Sequence, residues 1–205
     1  MCTKIYEKND KLSSAIRCGN LKLEFGCGYQ KRSDEFVGVD AIDTPAVDVV
    51  GDALAVLRSI SDGCAEAIVS EHFLEHCTDV VQIISEWRRV LSPVGEIEIV
   101  VPHYSNAYFN SDPTHAMRFG LYTFCYLAND KVGYSRSVPK YSRIDGLNLV
   151  GVDLVFKSPR CFVFRNILRR AFGIIVNSSR YTQEFYEEML TGLVSCYEVR
   201  YRLRK

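Results

Sequence analysis

Apolar and polar residues alternate through LKLEFG (21–26) and stop at the glycines of GCG, which predicts a β-strand running into a tight turn. Four more short β-branched runs follow, FVGVD (36–40), VDVVGD (47–52), AEAIVS (65–70) and EIEIVVP (96–102), each closed by turn or polar residues. Several are apolar on both faces, as strands covered by helices are. Between the last two, DVVQIISEWRRVL (79–91) sets Val80, Ile83, Ile84, Trp87 and Leu91 on one helical stripe, with SPVG closing the helix. ALAVLRSI (53–60) predicts a shorter helix. Strands alternating with helices give an α/β fold class, a doubly wound and mostly parallel sheet.

Beyond Pro102 the texture changes. HYSNAYFNSDPTHAMRFGLYTFCYLAND is rich in aromatic and turn residues, as a loop-and-helix insertion over a site would be. NLVGVDLVFKS (148–158) and CYEVRYRLRK (196–205) predict two more strands, with a helix at YTQEFYEEMLTGL (181–193) between them. The first twenty residues carry no clear pattern. Without a repeat or a linker, the expected organisation is a single domain over 1–205: a cofactor-binding core (21–102), a lid or substrate insertion (103–147), and final strands and helices (148–205).

Charge narrows the partners. Twenty-five basic residues balance 25 acidic ones, so no net field draws in nucleic acid. The balance is uneven along the chain, because residues 160–205 hold nine Lys or Arg against four Glu and no Asp. The eight cysteines stand singly, without a C-x-x-C pair or a secretory leader, which fits reduced thiols and a cytoplasmic location. No apolar run reaches the roughly 18 residues that cross a bilayer. The longest candidate, CFVFRNILRRAFGIIV (161–176), is interrupted by arginines. Its stripe of Phe164, Ile167, Leu168, Ala171 and Ile175 is expected to face the core or a homodimer partner, with peripheral contact at a membrane surface as the alternative.

The glycine turn is where a ligand can approach the backbone, and Asp40 and Asp52 end the next two strands. Asp40 is placed to bridge a ribose diol. A dinucleotide would need its pyrophosphate at the N-terminus of a helix after the glycines, but only YQKRSDE (29–35) separates Gly28 from the next strand, and Lys31 stands where a third glycine would be. S-adenosylmethionine has no pyrophosphate, so the spacing favours it over NAD.

At this point the residues resemble the class I S-adenosylmethionine-dependent methyltransferases, and most closely a small group in which LEFGCG, FVGVD, VDVVGD, SEHFLEH, EWRRVLSPVGEIEIVVP and DPTH occur in this order. The resemblance covers roughly residues 21–127. It implies a Rossmann-like sheet ending in an antiparallel strand, with the helices after the first two strands cut here to a turn. By the resemblance, Glu24, Gly26, Cys27 and Gly28 would line the methionine end of the cofactor, Asp40 the ribose, and Asp52 with Ala53 the adenine. Ser70, Glu71 and His72 would pass beneath the methyl-bearing sulfonium. Close relatives in this group are commonly enzymes that decorate polysaccharides, which suggests a saccharide or other small hydroxyl acceptor.

SEHFLEH (70–76) also spells H-x-x-E-H through His72, Glu75 and His76, the inverted zinc-peptidase motif. It follows a strand, and no Glu lies between Glu98 and Glu184 to supply the usual third ligand, so no metal is expected. For the acceptor's proton, the candidates are His115 or His103 as general base, with Asp112 orienting it. The readings set against methyl transfer are a non-catalytic nucleoside-binding protein, an NAD-dependent oxidoreductase and a zinc peptidase.

Overall fold

A computed structural model of the chain describes residues 5–159 and 161–205. Cys2 and Arg160, counted above, lie outside them. The chain forms two compact units: one made of the described residues up to Phe73 with Asp79–Ile99 and Leu203–Lys205, the other of Leu74–Thr78 and Val100–Arg202.

In the first unit the strands are β1 (Tyr6–Glu7), β2 (Leu21–Phe25), β3 (Val37–Asp40), β4 (Val49–Val50), β5 (Ala65–Glu71) and the start of β6 (Leu91–Pro102), in the order β1-β4-β3-β2-β5-β6. β2 runs parallel to β3, with Leu23 opposite Val37, and parallel to β5, with Phe25 opposite Ser70. β3 and β4 are parallel and β1 is antiparallel to β4. The β-branched runs are buried as their two-sided apolar pattern requires: Leu21, Leu23, Phe25, Val49 and Ile68 are all fully buried. Helix α3 (Val80–Val90) lays its stripe on this sheet, with the Trp87 ring 5.4 Å from that of Phe25 and 6.5 Å from that of Phe73.

Two local outcomes differ from the pattern-based expectation. Helix α1 (Lys11–Cys18) lies in the stretch that showed no periodicity, because it buries a single side chain, Leu12. Strand β6 begins at Leu91, not at residue 96. Pro93 disfavours helical backbone at Ser92, so α3 stops and the chain is extended from Leu91 onward. The connections after the first two predicted strands are abbreviated as expected, 26–36 and 41–48 forming turns and bends without a helix, and Asp52 caps the short α2 (Ala53–Arg58) by accepting from the Ala55 N–H at 2.9 Å.

The second unit holds the end of β6, β7 (Asn129–Asp130), β8 (Asn148–Val155) and most of β9 (Glu198–Arg204), in the order β6-β9-β8-β7. The last strand is antiparallel, as the resemblance implied. The aromatic insertion is irregular in backbone but packed: Phe119, Leu121, Phe124 and Tyr201 are fully buried, and the Tyr201 hydroxyl donates to the Gly120 carbonyl at 2.6 Å. Of its aromatics, Tyr104, Tyr108 and Tyr141 are exposed. Helix α4 (Val163–Val176) does not turn its stripe to the core. Phe164, Ile167, Leu168 and Ile175 are each more than half exposed, and only Gly173 and Val176 are buried. Among the described residues no helix is long and apolar enough to cross a membrane.

Helix α5 (Arg180–Phe185) passes into a π-helical turn, Tyr186–Leu190, and carries Glu184, an acid with several donors. Burial pushes the Glu184 carboxyl up, but bonds from Ser135 Oγ (2.8 Å), the Tyr122 hydroxyl (3.0 Å) and the Ser135 N–H (2.7 Å) outweigh it and hold it below the ordinary value near 4.5. A depressed folded-state value means stability that is present above the ordinary value and lost as pH falls through the depressed one. Glu184→Ala leaves the buried Tyr122 hydroxyl and two donors of the exposed Ser135 without their acceptor and is expected to cost about 2 kcal/mol. Denaturant unfolding at neutral pH checks this, and a loss under about 1 kcal/mol would show that the cluster contributes little to the fold.

Candidate functional site

The glycine turn is built by two left-handed backbone positions, Gly26 at φ 74° and Gly28 at φ 54°. They play different parts. A Cβ on Gly26 would stand 2.6 Å from Phe73 Cβ, whereas one on Gly28 would meet nothing within 4 Å. The turn is therefore closed against the core at Gly26 and open beside Gly28, where a ligand can reach the backbone.

Strand-end acids hold this turn in place. The Asp40 carboxylate accepts from the Gly28 N–H (2.9 Å) and the Ile42 N–H (2.9 Å), so one side chain fixes both the glycine turn and the turn after β3. Glu24, nearly buried, accepts from the Arg32 N–H at 2.8 Å, and burial raises its carboxyl above the usual range. Burial, helped by the charges of Asp40 and Glu24, pushes the Cys27 thiol up to about 12, which keeps it protonated and unreactive. Ser70, near the end of β5, is fully buried and its hydroxyl has no hydrogen-bond partner among the described residues, a costly arrangement in a folded core. Glu71 and His72 are exposed beyond it. His72 takes φ 54°, an unusual conformation for a residue with a Cβ, of the kind that marks functional turns. Asp52 is exposed and bonds its own helix, and Ala53 is the first residue of that helix.

Three fastenings of the same loop escaped the sequence reading. Asp48, buried, accepts from Lys31 Nζ (2.6 Å), the Gly38 N–H (2.8 Å) and Asn9 Nδ2 (2.8 Å). Burial opposes its charge, yet these partners hold its carboxyl below the usual range. Arg32 pairs with both oxygens of Glu98, at 2.8 and 3.0 Å. The Thr44 hydroxyl donates to the Gly28 carbonyl. The only sequence signal for Asp48 was an acid inside the VDVVGD run, a position that reads as strand.

In the second unit the proposed bases separate sharply. His103 is fully buried; its Nδ1 accepts from the Ser105 N–H (3.2 Å), so Nε2 donates to Glu187 at 3.0 Å. Neither ring nitrogen is left for an acceptor's proton. The Nδ1–H of His115 donates to the Phe109 carbonyl at 2.9 Å, and its Nε2 keeps a lone pair. His115 lines an open cleft of about 530 Å³ with Phe109, Asp112, Ala116 and Arg118 among its walls. Phe109, not Asp112, sets the ring's orientation, while Asp112 Oδ2 lies 3.7 Å from Nε2. The Thr114 hydroxyl and N–H hold the Asp112 carboxyl below the usual range. His76, the last residue of the H-x-x-E-H run, stands beside His115 with ring centroids 4.9 Å apart. The backbone carbonyl of Glu75 draws the strands of this cluster together by accepting from the Ala116 N–H at 2.7 Å.

Residues 23–99 match a family model described as a methyltransferase domain. Among solved structures, the chain is similar to an S-adenosylmethionine-dependent methyltransferase from Archaeoglobus fulgidus, at 16% identity over 91% of this chain and 86% of that one, with a TM-score of 0.54. It is also similar to Haemonchus contortus phosphoethanolamine N-methyltransferase 2, solved with phosphomonomethylethanolamine and S-adenosylhomocysteine, at 13% identity and a TM-score of 0.51. That likeness covers 95% of this chain and 52% of the other, so the chain spans about half that protein's length. At such identities the likeness is one of fold. No curated protein matches the chain.

Proposed function

We propose, from the premise that this chain is a class I S-adenosylmethionine-dependent methyltransferase, that it methylates a hydroxyl of a sugar or other small acceptor. S-adenosylmethionine supplies an electrophilic methyl group on a sulfonium. The chain's task is to hold that group, align the acceptor and take up the acceptor's proton.

The first unit supplies the donor site. The open side of Gly28 gives a ligand access to the backbone, and the buried, unpartnered Ser70 hydroxyl fits a polar ligand atom. Asp40, with the remaining lone pairs of its carboxylate, takes the ribose diol, and Glu24 with Gly26 and Cys27 lines the methionine end. Asp52 and Ala53 are assigned to the adenine, and Glu71 and His72 border the sulfonium. Asp40→Ala removes both the ribose acceptor and the strut under Gly28, so S-adenosylmethionine affinity is expected to fall by about 10–100-fold. Calorimetric titration reads this directly; an unchanged affinity would remove Asp40 from the site.

The observation that carries the hydroxyl assignment is the His115 ring, whose Nδ1–H is committed to the Phe109 carbonyl, leaving Nε2 as a proton acceptor in the cleft. A hydroxyl is a weak nucleophile until its proton is withdrawn, and a positioned imidazole nitrogen performs that task. Tyr104 and Tyr108, two of the exposed aromatics of the insertion, offer faces for sugar rings. The seven described cysteines are free thiols, which supports the cytoplasm as the site of action. Incubation with methyl-labelled S-adenosylmethionine and a panel of saccharides, small alcohols and amines tests the reading. Label recovered as a methyl ether supports it; label recovered only on amines would overturn it.

A further inference from the structure

We infer that Glu75, His76 and His115 form a binding site for a divalent transition-metal ion of the zinc type. Their candidate ligand atoms, one from each side chain, all lie within 4.8 Å of one another. Around a tetrahedral zinc with bonds of about 2.0 Å, ligand atoms sit about 3.3 Å apart, so the set closes on an ion with about 1.5 Å of side-chain movement.

The stronger argument is the tautomer of each imidazole. The Thr114 hydroxyl donates its one hydrogen to Asp112 Oδ1 at 2.6 Å. It can therefore only accept from His76 Nδ1, 2.8 Å away, which makes His76 an Nδ1–H tautomer. The Phe109 carbonyl likewise requires Nδ1–H on His115. Both rings thus present a bare Nε2 while the opposite nitrogen is anchored, one through a threonine to a carboxylate and one to a backbone carbonyl. Metal-binding histidines are held in this way. Their rings are 4.9 Å apart, and the third group, the Glu75 carboxyl, is buried. Two imidazoles and one carboxylate favour zinc, iron or cobalt over magnesium or calcium, which prefer oxygen ligands throughout. Asp112 Oδ2, 3.7 Å from His115 Nε2, stands near enough to join the set. Glu75 and His76 of the H-x-x-E-H run thus find their third ligand in the histidine of DPTH, and His72 is not one of the set.

The role of the ion rests on the methyl-transfer reading; its binding does not. With a coordination position left open, the ion would hold the acceptor hydroxyl and lower its pKa, and His115 would act as ligand instead of base. The hydroxyl's proton passes to solvent, and the oxygen forms its bond to the methyl carbon as the sulfur–methyl bond breaks and the pair returns to sulfur.

The test uses the full chain, stripped with a chelator and titrated with cobalt(II) by visible absorption and with zinc(II) by calorimetry. About one ion per chain is expected, with affinity at least tenfold weaker in His76→Ala, whose side chain is exposed and whose loss leaves the metal-free melting temperature unchanged. Zinc should raise the melting temperature of the wild type and not of the variant. No binding by the wild type, or equal binding by the wild type and a His76→Ala/His115→Ala double variant, would overturn the site. S-adenosylmethionine titration of the same metal-free samples keeps failure of this site distinct from failure of the methyltransferase reading.

Discussion

His115→Ala is expected to lower turnover on a true acceptor by about 10²–10⁴-fold while leaving S-adenosylmethionine affinity within about twofold of the wild type. The asymmetry follows from where the ring sits. His115 belongs to the cleft of residues 109–118, and every residue assigned to the donor site lies at or before Phe73. The ring gives one nitrogen to the Phe109 carbonyl and keeps the other for chemistry, so truncation removes the proton acceptor and, with it, a ligand of any bound ion. The side chain is only 10% exposed and packs near the Phe109 ring (centroids 4.7 Å apart), so the variant's melting temperature is to be measured beside its kinetics. Measuring kcat and donor affinity on one preparation separates the two effects. Unchanged kcat would remove His115 from the mechanism in either role. His103→Gln, by contrast, should show its effect in stability, since the His103 ring is buried against Glu187.

Gly26→Ala is expected to cost about 3 kcal/mol and lower the melting temperature by roughly 6–12 °C. Two terms add. A residue with a Cβ held at φ 74° carries left-handed strain of about 1–2 kcal/mol, and the new methyl group would press on Phe73 at 2.6 Å. Phe73 cannot withdraw easily, because its ring is packed near those of Phe25 (6.1 Å) and Trp87 (6.5 Å). Gly28→Ala is the informative control. It bears similar backbone strain, about 1 kcal/mol, but its methyl enters open space. Its main effect should be on donor binding, not on stability. If both variants lost stability equally and bound the donor alike, the turn would be a folding element with no ligand role.

The elements that positioned the donor site were legible because burial on both faces imposes a simple pattern. β3 at Val37–Asp40 and β5 at Ala65–Glu71 fall within a residue of their β-branched runs, and α3 matches its apolar stripe closely. The glycine turn was legible for a similar reason, since only glycine takes left-handed backbone so cheaply. What stayed hidden was anything set by long-range pairing. Asp48 looks like a strand residue, and its three partners come from Asn9, Lys31 and Gly38. Helix α1 could not be read because it buries only Leu12. The stripe of α4 was visible, but a stripe does not say what it faces, and it proves to be exposed. His76 and His115 come from separate stretches of the sequence, so their 4.9 Å approach was beyond any spacing argument.

The central claim is that the turn at Gly26–Gly28 and the carboxylate of Asp40 form a site for S-adenosylmethionine. Isothermal titration of the wild-type chain with S-adenosylmethionine, S-adenosylhomocysteine and NAD tests it in one experiment. The account predicts saturable binding of the first two at one per chain, weakened in Asp40→Ala, and no binding of NAD. Binding of NAD alone, or no binding of either sulfur nucleoside, would contradict it.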